Sequence, residues 1–162
     1  MIRIFFLLSL SFLFFSCSKD NVGCSYTDSY AVATSSEIMY LQSYINNNAI
    51  TATQHPSGIF YHIDSEGTVG SPVVCSTITV NYSGRLLSDG SVFDAKDGKA
   101  FVLGQLIQGW QKGLPLLKEG GAITLYIPPS LGYGANDVIQ NNVVLIPANS
   151  YLKFTIQLLD VQ

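Results

Sequence analysis

Alternation of apolar and polar residues in short, separate segments constrains the fold of this chain most. It is clean from Ser76 onward and again within 151–161. The apolar members of these two runs are Ile78, Val80, Tyr82, Leu152, Phe154, Ile156 and Leu158. A period of two places successive side chains on opposite faces of a strand. The two runs therefore predict half-buried strands of an antiparallel sheet.

Shorter segments supply the other elements. Runs at 59–63, 91–93, 101–103 and 123–127 also predict strands. Apolar residues at three- and four-residue spacing predict one short helix between Gln105 and Leu117, whose length Pro115 limits. The chain from Gly132 to Pro147 is predicted to be a long loop. This order predicts an α+β fold, an antiparallel sheet of five to six strands wrapped on a short helix.

An extra helix is predicted before the sheet, within 34–49. Thr34 and Glu37 have the spacing of a capping box, which marks a helix N-terminus. The apolar residues that share one face of the following turns are Ile38, Leu41 and Ile45. We expect this face to dock on the main domain, and a partner helix in an oligomer is the alternative.

The N-terminus is predicted to be a signal peptide, residues 1–16. Its apolar run from Ile4 to Phe15 is interrupted only by two serines. This run is shorter than the roughly 20 residues that span a bilayer, but it has the length of a signal-peptide core. Leu13 to Cys17 resembles the lipobox of bacterial lipoproteins, which implies cleavage before Cys17 and lipid attachment to it. An ordinary signal peptide with an incidental cysteine is the alternative.

A lipidated Cys17 would begin a flexible tether over 17–33. More than one acyl chain makes membrane attachment stable. The expected location is the cell envelope, with the outer membrane favoured because Ser18 stands where some sorting systems read an aspartate. In an exported protein, Cys24 and Cys75 are expected to form a disulfide, and two separate thiols are the alternative.

Charge and motif content exclude several classes of function. Charged residues are 12% of the chain, about half the usual share, and the net charge is −3. The sequence has no basic patch, so nucleic acid is excluded as a partner. It has no CxxC motif, no Cys/His cluster at metal spacing and no nucleophile elbow. We therefore expect neither a metal nor a cofactor.

Six motifs follow one another between Ile59 and Gln162. They are Val80–Gly84, Asp89–Asp94, Phe101–Trp110, Pro129–Gly134, Ile146–Phe154 and Leu158–Val161. In order and spacing they resemble the FK506-binding-protein (FKBP) type of peptidyl-prolyl cis-trans isomerase. The resemblance implies an isomerase domain at 55–162 that acts without a cofactor, as a monomer.

The resemblance also implies a proline-binding pocket. Its catalytic residues would be Asp94, Tyr133, Tyr82 and Phe93. Its substrate-binding residues would be Phe101, Leu106, Ile107, Trp110, Ile146 and Phe154. Trp110 would form the floor, and the Ile107 N–H and the Tyr133 hydroxyl would hold peptide carbonyls. The implied ligands are X–Pro segments of exported polypeptides and macrolides of the FK506 type.

Two departures from the family pattern lie at the rim of this pocket. Lys99 replaces an apolar residue, and the segment 136–145 is longer than in the smallest relatives. Three functions stay open at this point. They are an isomerase that assists the folding of exported proteins, a non-catalytic module that binds proline-containing segments as a chaperone, and a structural surface lipoprotein.

Overall fold

A computed structural model describes residues 23–162, so the predicted signal peptide and Cys17 lie outside the described residues. The helices are α1 (Ser35–Asn47) and α2 (Gln108–Gly113). The strands are β1 (Thr53–Gln54), β2 (Phe60–Ser65), β3 (Thr77–Leu86), β4 (Val92–Val102), β5 (Ala122–Ile127), β6 (Val138–Gln140), β7 (Val143–Ile146) and β8 (Leu152–Val161). Short 3-10 turns occupy Leu103–Gln105, Leu114–Leu116 and Pro129–Leu131.

Six of the strands form one antiparallel sheet in the order β1-β2-β5-β8-β3-β4. The two segments with the cleanest alternation are neighbours in it, since Tyr82 of β3 lies opposite Ile156 of β8. On the other side of β8, Ile156 lies opposite Ile123 of β5. One of the two central strands of the sheet, β8, is thus the last strand in the sequence.

The main core lies between one face of this sheet and α2 with its flanking turns. Its fully buried members include Ile78, Val80, Leu103, Leu114, Leu125 and Ile156. Burial of such side chains contributes about 1.5–3 kcal/mol each relative to exposure. The predicted α+β arrangement, a sheet of six strands on a short helix, is confirmed.

The helix α1 covers a second, smaller core. Leu41 and Ile45 are buried there against Phe60, Tyr126 and Leu87. At its N-terminus, Thr34 and Glu37 exchange the two hydrogen bonds of a capping box. This helix therefore docks on its own domain, because the apolar stripe that the sequence showed is covered by the sheet.

Two elements differ from expectation around α2. The runs at 91–93 and 101–103 belong to one strand, β4, which stays paired with β3 through two register shifts. The helix expected between Gln105 and Leu117 has only six residues. Leu106 and Ile107 before it have extended backbone, and Leu114–Leu116 after it is a 3-10 turn that contains Pro115.

The expected long loop contains a hairpin. Strands β6 and β7 pair with each other apart from the main sheet. Asn141 and Asn142 between them both have positive φ, 51° and 61°. A two-residue turn of this kind matches the twist of a hairpin, and asparagine tolerates it better than most residues.

The described part of the expected tether is not free. From Cys24 to Ala33 the chain lies along the domain, joined to Cys75 by a disulfide and to Ser57 by a backbone hydrogen bond of 2.9 Å. The flexibility expected for the tether stays a prediction, and the structure adds contacts with the domain that the polar composition of these residues does not reveal. Within residues 23–162, every helix is too short or too polar to span a bilayer.

Candidate active site

A hollow of about 210 Å³ opens where β3, β4, β8, α2 and the loop after β5 meet. Its lining is mainly aromatic and aliphatic. The residues that line it are Tyr82, Asp94, Phe101, Gln105, Leu106, Ile107, Trp110, Tyr133 and Phe154. The fold therefore brings together eight of the ten residues that the resemblance implies, although they come from five separate parts of the chain.

Trp110 forms the floor of the hollow. It is 4% exposed. Three rings meet it edge to face, with centroid distances of 5.3 Å to Tyr82, 6.2 Å to Phe101 and 5.2 Å to Phe154. Such contacts between rings add about 0.5–1.5 kcal/mol each beyond their buried area. With these rings around it, Trp110 is almost fully shielded from solvent.

Gly84 allows the aromatic wall to close. It lies on β3 between Asp94 of β4 and Phe154 of β8. A Cβ atom at this position would come within 2.7 Å of the rings of both Phe93 and Phe154. The two rings meet at 5.5 Å with nearly perpendicular planes. The glycine of this motif is therefore required for space, not for a turn.

Three polar residues of the hollow, Tyr82, Asp94 and Tyr133, interact with one another. The Tyr82 hydroxyl donates to Asp94 Oδ2 at 2.5 Å. Burial and then this hydrogen bond raise the pKa of Tyr82 well above its ordinary value of 10.0. Burial, followed by the nearby Asp94 charge, also raises the pKa of Tyr133. Both tyrosines therefore keep their protons, and each can donate to an oxygen.

The backbone at the start of α2 also faces this region. Ile107 is the N-cap of α2, and its φ of −58° and ψ of 150° place it outside the helix. Its carbonyl accepts from the Trp110 N–H at 3.0 Å. Since the first N–H groups of a helix have no partner within the helix, the backbone at this end has donors that α2 itself does not use.

Phe93 and Ile146, the two remaining predicted residues, line a second hollow beside the first. It has about 470 Å³ and shares Asp94 and Tyr133 with the first. Phe93 still touches the aromatic wall, because its ring lies 6.3 Å from that of Tyr133. The pocket predicted as one site is thus two adjoining hollows with Asp94 and Tyr133 between them.

The two departures from the family pattern, Lys99 and the segment 136–145, lie at different places around the pocket. Lys99 lies on β4 with its ammonium 5.9 Å from the centroid of Phe101. The longer segment 136–145 forms most of the hairpin and contributes Val138, Ile139, Gln140 and Leu145 to the second hollow. None of its residues lines the first hollow, so the aromatic pocket stays open.

Gln105 also lines the hollow, and sequence reasoning did not identify it. Its side-chain amide donates from Nε2 to the Tyr26 hydroxyl at 2.7 Å. Tyr26 is 79 positions away in the chain, and no sequence pattern relates the two residues. Only the disulfide, which was expected, could have indicated that the N-terminal segment returns to this region.

Comparison with known proteins agrees with this geometry. Residues 70–159 match the family described as FKBP-type peptidyl-prolyl cis-trans isomerase. The chain belongs to this family. The match covers every residue that lines the hollow, from Tyr82 to Phe154.

Individual relatives show how far the similarity extends. The FKBP-type isomerase FkpA of Buchnera aphidicola subsp. Schizaphis graminum is 40% identical over 130 residues, which are 76% of this chain and 48% of that protein. The crystal structure of FkpA from Escherichia coli matches with a TM-score of 0.67 and 34% identity, over 78% of this chain and 60% of that one. An isomerase structure from Pseudomonas syringae pv. tomato also has a TM-score of 0.67, at 26% identity over 83% and 99%.

The chain spans about half the length of this first curated relative. What it shares with such longer isomerases includes the domain that carries the aromatic pocket. The segment before β3 includes α1 and the residues from Cys24 to Ala33, which lie outside the family match.

Proposed function

We propose that this protein catalyses cis-trans isomerisation of X–Pro bonds in exported polypeptides and so assists their folding. The observation that carries the proposal is the aromatic hollow above Trp110, with Asp94 and Tyr133 at its polar side. Uncatalysed isomerisation takes tens to hundreds of seconds at 25 °C and can limit folding. An isomerase in the cell envelope would remove this limit.

The chemistry of the reaction fits a pocket of this composition. Rotation about an X–Pro bond crosses a barrier of roughly 18–20 kcal/mol, because amide resonance is lost at the twist. The twisted amide has less charge separation than the planar one, so an apolar site favours it relative to water. The reaction needs no nucleophile, only a dry pocket shaped for proline.

Three polar groups of the hollow, those of Tyr133, Tyr82 and Asp94, complete this proposal. Once the amide twists, its carbonyl oxygen rotates away from its ground-state position. A donor placed for that rotated oxygen lowers the barrier more than it stabilises the substrate. The protonated Tyr133 hydroxyl is such a donor in the hollow, and Tyr82 fixes the Asp94 carboxylate through their 2.5 Å hydrogen bond.

Refolding of a protein whose slow phase is limited by proline isomerisation tests this proposal. We expect the purified protein to accelerate the slow phase at substoichiometric concentration. Asp94→Val should reduce the acceleration by about 10- to 100-fold, since it removes a charged hydrogen-bond partner. Tyr133→Phe should reduce it by about 3- to 10-fold. A slow phase that does not change with wild-type protein would contradict the proposal.

A second candidate, a non-catalytic chaperone module, is favoured by one observation. The hairpin beside the pocket exposes Ile139 (61%), Val143 (59%) and Val144 (46%). Exposed apolar side chains next to a proline pocket would hold unfolded segments. This candidate predicts suppression of aggregation that Asp94→Val leaves intact, with no acceleration of the slow phase. The double substitution Ile139→Ser and Val143→Ser would then abolish the suppression.

Attachment to a membrane through lipidated Cys17 is a separate part of the proposal. It is supported by the lipobox-like residues 13–17 after an apolar run. Cys17→Ala should move the protein from the membrane fraction to the soluble fraction of cells. Cys24→Ala is the matched control, because this cysteine is paired within the domain. Unchanged partitioning of the Cys17 variant would contradict the anchor.

A further inference from the structure

The residues from Cys24 to Ala33, here called the N-terminal strap, run beside the aromatic pocket. Besides the contacts of Tyr26, three others hold the strap to the domain. Cys24 is joined to Cys75, the Lys112 ammonium donates to the Ser29 carbonyl, and the Ala33 N–H donates to the Ser57 carbonyl. Lys112 belongs to α2, the helix that carries the pocket floor. The strap is therefore attached to the helix that carries the pocket floor.

The disulfide fixes the strap at the support of the pocket wall. On either side of Cys75, the carbonyls of Val74 and Ser76 accept from the N–H groups of Gly104 and Leu103, at 2.8 and 3.0 Å. Gly104 and Leu103 belong to the 3-10 turn that leads into the pocket. The disulfide thus attaches the strap to the short stretch that carries this turn.

Tyr26 makes the contact that reaches the pocket itself. Its ring packs on Gly104, where a Cβ atom would lie only 2.7 Å from the Tyr26 Cβ. Its hydroxyl accepts from Gln105 Nε2 at 2.7 Å. Gln105 is a lining residue of the pocket. A residue of the strap therefore fixes the orientation of a polar side chain in the pocket wall.

Gln105 carries the one side-chain amide among the residues that line the pocket. Its nitrogen is engaged by Tyr26, and the oxygen of an amide points away from the nitrogen. The oxygen is a neutral acceptor in a wall made mostly of rings and aliphatic chains. A bound peptide has no N–H at proline, but the residues that flank the proline have one.

We infer that Gln105 accepts a hydrogen bond from a backbone N–H next to the bound proline, and that Tyr26 is the positioning residue that orients it. This inference rests on the proposed function, because it assigns a role within the same pocket. The strap then contributes to how tightly a peptide binds. The polar contact is directed at the peptide backbone, so it applies to polypeptide segments of any side-chain sequence.

Binding of a short X–Pro peptide to the protein tests the inference. Trp110 is the single tryptophan of the chain and forms the pocket floor, so its fluorescence reports binding directly. Tyr26→Phe removes the hydroxyl and keeps the ring on Gly104, and Gln105→Ala removes the amide. Tyr30→Phe is the matched control, since Tyr30 lies in the same strap and is 97% exposed.

We expect Tyr26→Phe and Gln105→Ala each to raise Kd by about three- to tenfold, the range for one hydrogen bond. The double variant should be no weaker than Gln105→Ala, because the two residues act through one contact. Tyr30→Phe should bind like the wild type. Two further peptides each carry an N-methyl group on one of the two backbone nitrogens that flank the proline. One of them should bind the wild type about three- to tenfold more weakly than the unmodified peptide does. The same peptide should bind Gln105→Ala as tightly as the unmodified peptide does.

Three results would overturn the inference. Tyr26→Phe could bind like Tyr30→Phe, the effects of the two substitutions on Kd could add in the double variant, or neither methylated peptide could distinguish the wild type from Gln105→Ala.

The proposed function is judged separately, by turnover. A wild-type protein that binds the peptide without isomerising it contradicts the proposed function while the coupling of Tyr26 and Gln105 is still measured by Kd. A wild-type protein that does not bind overturns both.

Discussion

At the scale of single residues, the pocket depends on how closely its rings approach one another. Gly84 provides the space in which Phe93 and Phe154 meet, and Trp110 is held by three edge-on neighbours. The polar residues depend on this packing as well. Tyr82 can reach Asp94 at 2.5 Å because β3 and β4 are paired there. Burial is also the first cause of the raised pKa of both pocket tyrosines.

The raised tyrosine pKa values lead to a prediction about pH. The neutral forms of Tyr82 and Tyr133 persist above pH 10.0, the ordinary midpoint of a tyrosine. Catalysis that uses these hydroxyls should therefore be constant from neutral pH up to pH 10. The measurement is kcat/KM across this range, with circular dichroism as the control for folding. A fall in kcat/KM with a midpoint below 10 in folded protein would contradict this prediction.

At the scale of elements, the sequence predicted the strands more accurately than the turns and connections between them. Alternation identified β3 and β8, because each has one face on the core. The same pattern divided β4 into two runs, because Asp97 and Gly98 resemble a loop. In the structure, the Gly98 N–H donates to Asn81 Oδ1 within the hairpin of β3 and β4. The β6–β7 hairpin was missed although its Asn141-Asn142 turn was visible. Gln105 could not be found, because its partner Tyr26 comes from outside the sheet.

Glu37 links two elements. One oxygen of its carboxylate, Oε2, accepts from the Thr34 and Ser130 hydroxyls at 2.8 Å, and Oε1 accepts from the Ser130 N–H at 2.9 Å. Burial alone would raise the pKa of Glu37, but its hydrogen bonds, first the one from the Thr34 N–H and then those from Ser130, outweigh burial and hold the pKa below its ordinary value of 4.5. Ser130 lies three residues before Tyr133, so this contact joins α1 to the loop that carries a pocket residue.

Glu37 therefore predicts a dependence of stability on acid. Because the folded-state pKa lies below 4.5, the carboxylate contributes its full stability above about pH 4.5 and loses it as the pH falls through the folded value. Glu37→Gln should remove this part of the acid dependence. The carboxylate contributes less than about 1 kcal/mol to the free energy of unfolding, because the side chain is only partly buried. Urea unfolding between pH 6 and pH 3 measures it.

The control for this prediction is Glu66→Gln, at an exposed glutamate next to β2. This variant should keep the acid dependence of the wild type. Identical curves for Glu37→Gln and the wild type would show that Glu37 does not link α1 to the Ser130 turn with the strength inferred here.

At the scale of the whole molecule, the family domain is held from outside by the residues that precede it. The helix α1 covers Phe60 and Tyr126 on one side, and the strap from Cys24 to Ala33 attaches to α2 and to Cys75 on the other. Both lie before the segment that matches the family. The pocket residues, from Tyr82 to Phe154, lie within that segment, so the residues that hold the domain precede those that build the pocket.

The disulfide should contribute measurably to stability. It joins residues 51 positions apart, so it restricts a long loop of the unfolded chain. Reduction should lower the free energy of unfolding by about 2–4 kcal/mol. Thermal unfolding with and without a reductant measures this, and the double variant Cys24→Ser and Cys75→Ser should be insensitive to the reductant. An unchanged Tm on reduction of the wild type would contradict this prediction.

Exchange spectroscopy by NMR on a short X–Pro peptide measures the central claim most directly. The claim is that the hollow above Trp110 turns the prolyl bond itself. Catalytic amounts of wild-type protein should bring the cis and trans signals into exchange, and Asp94→Val should reduce the rate by about 10- to 100-fold while keeping the fold. Peptide signals that show no exchange with folded wild-type protein, or equal rates with Asp94→Val, would contradict the claim.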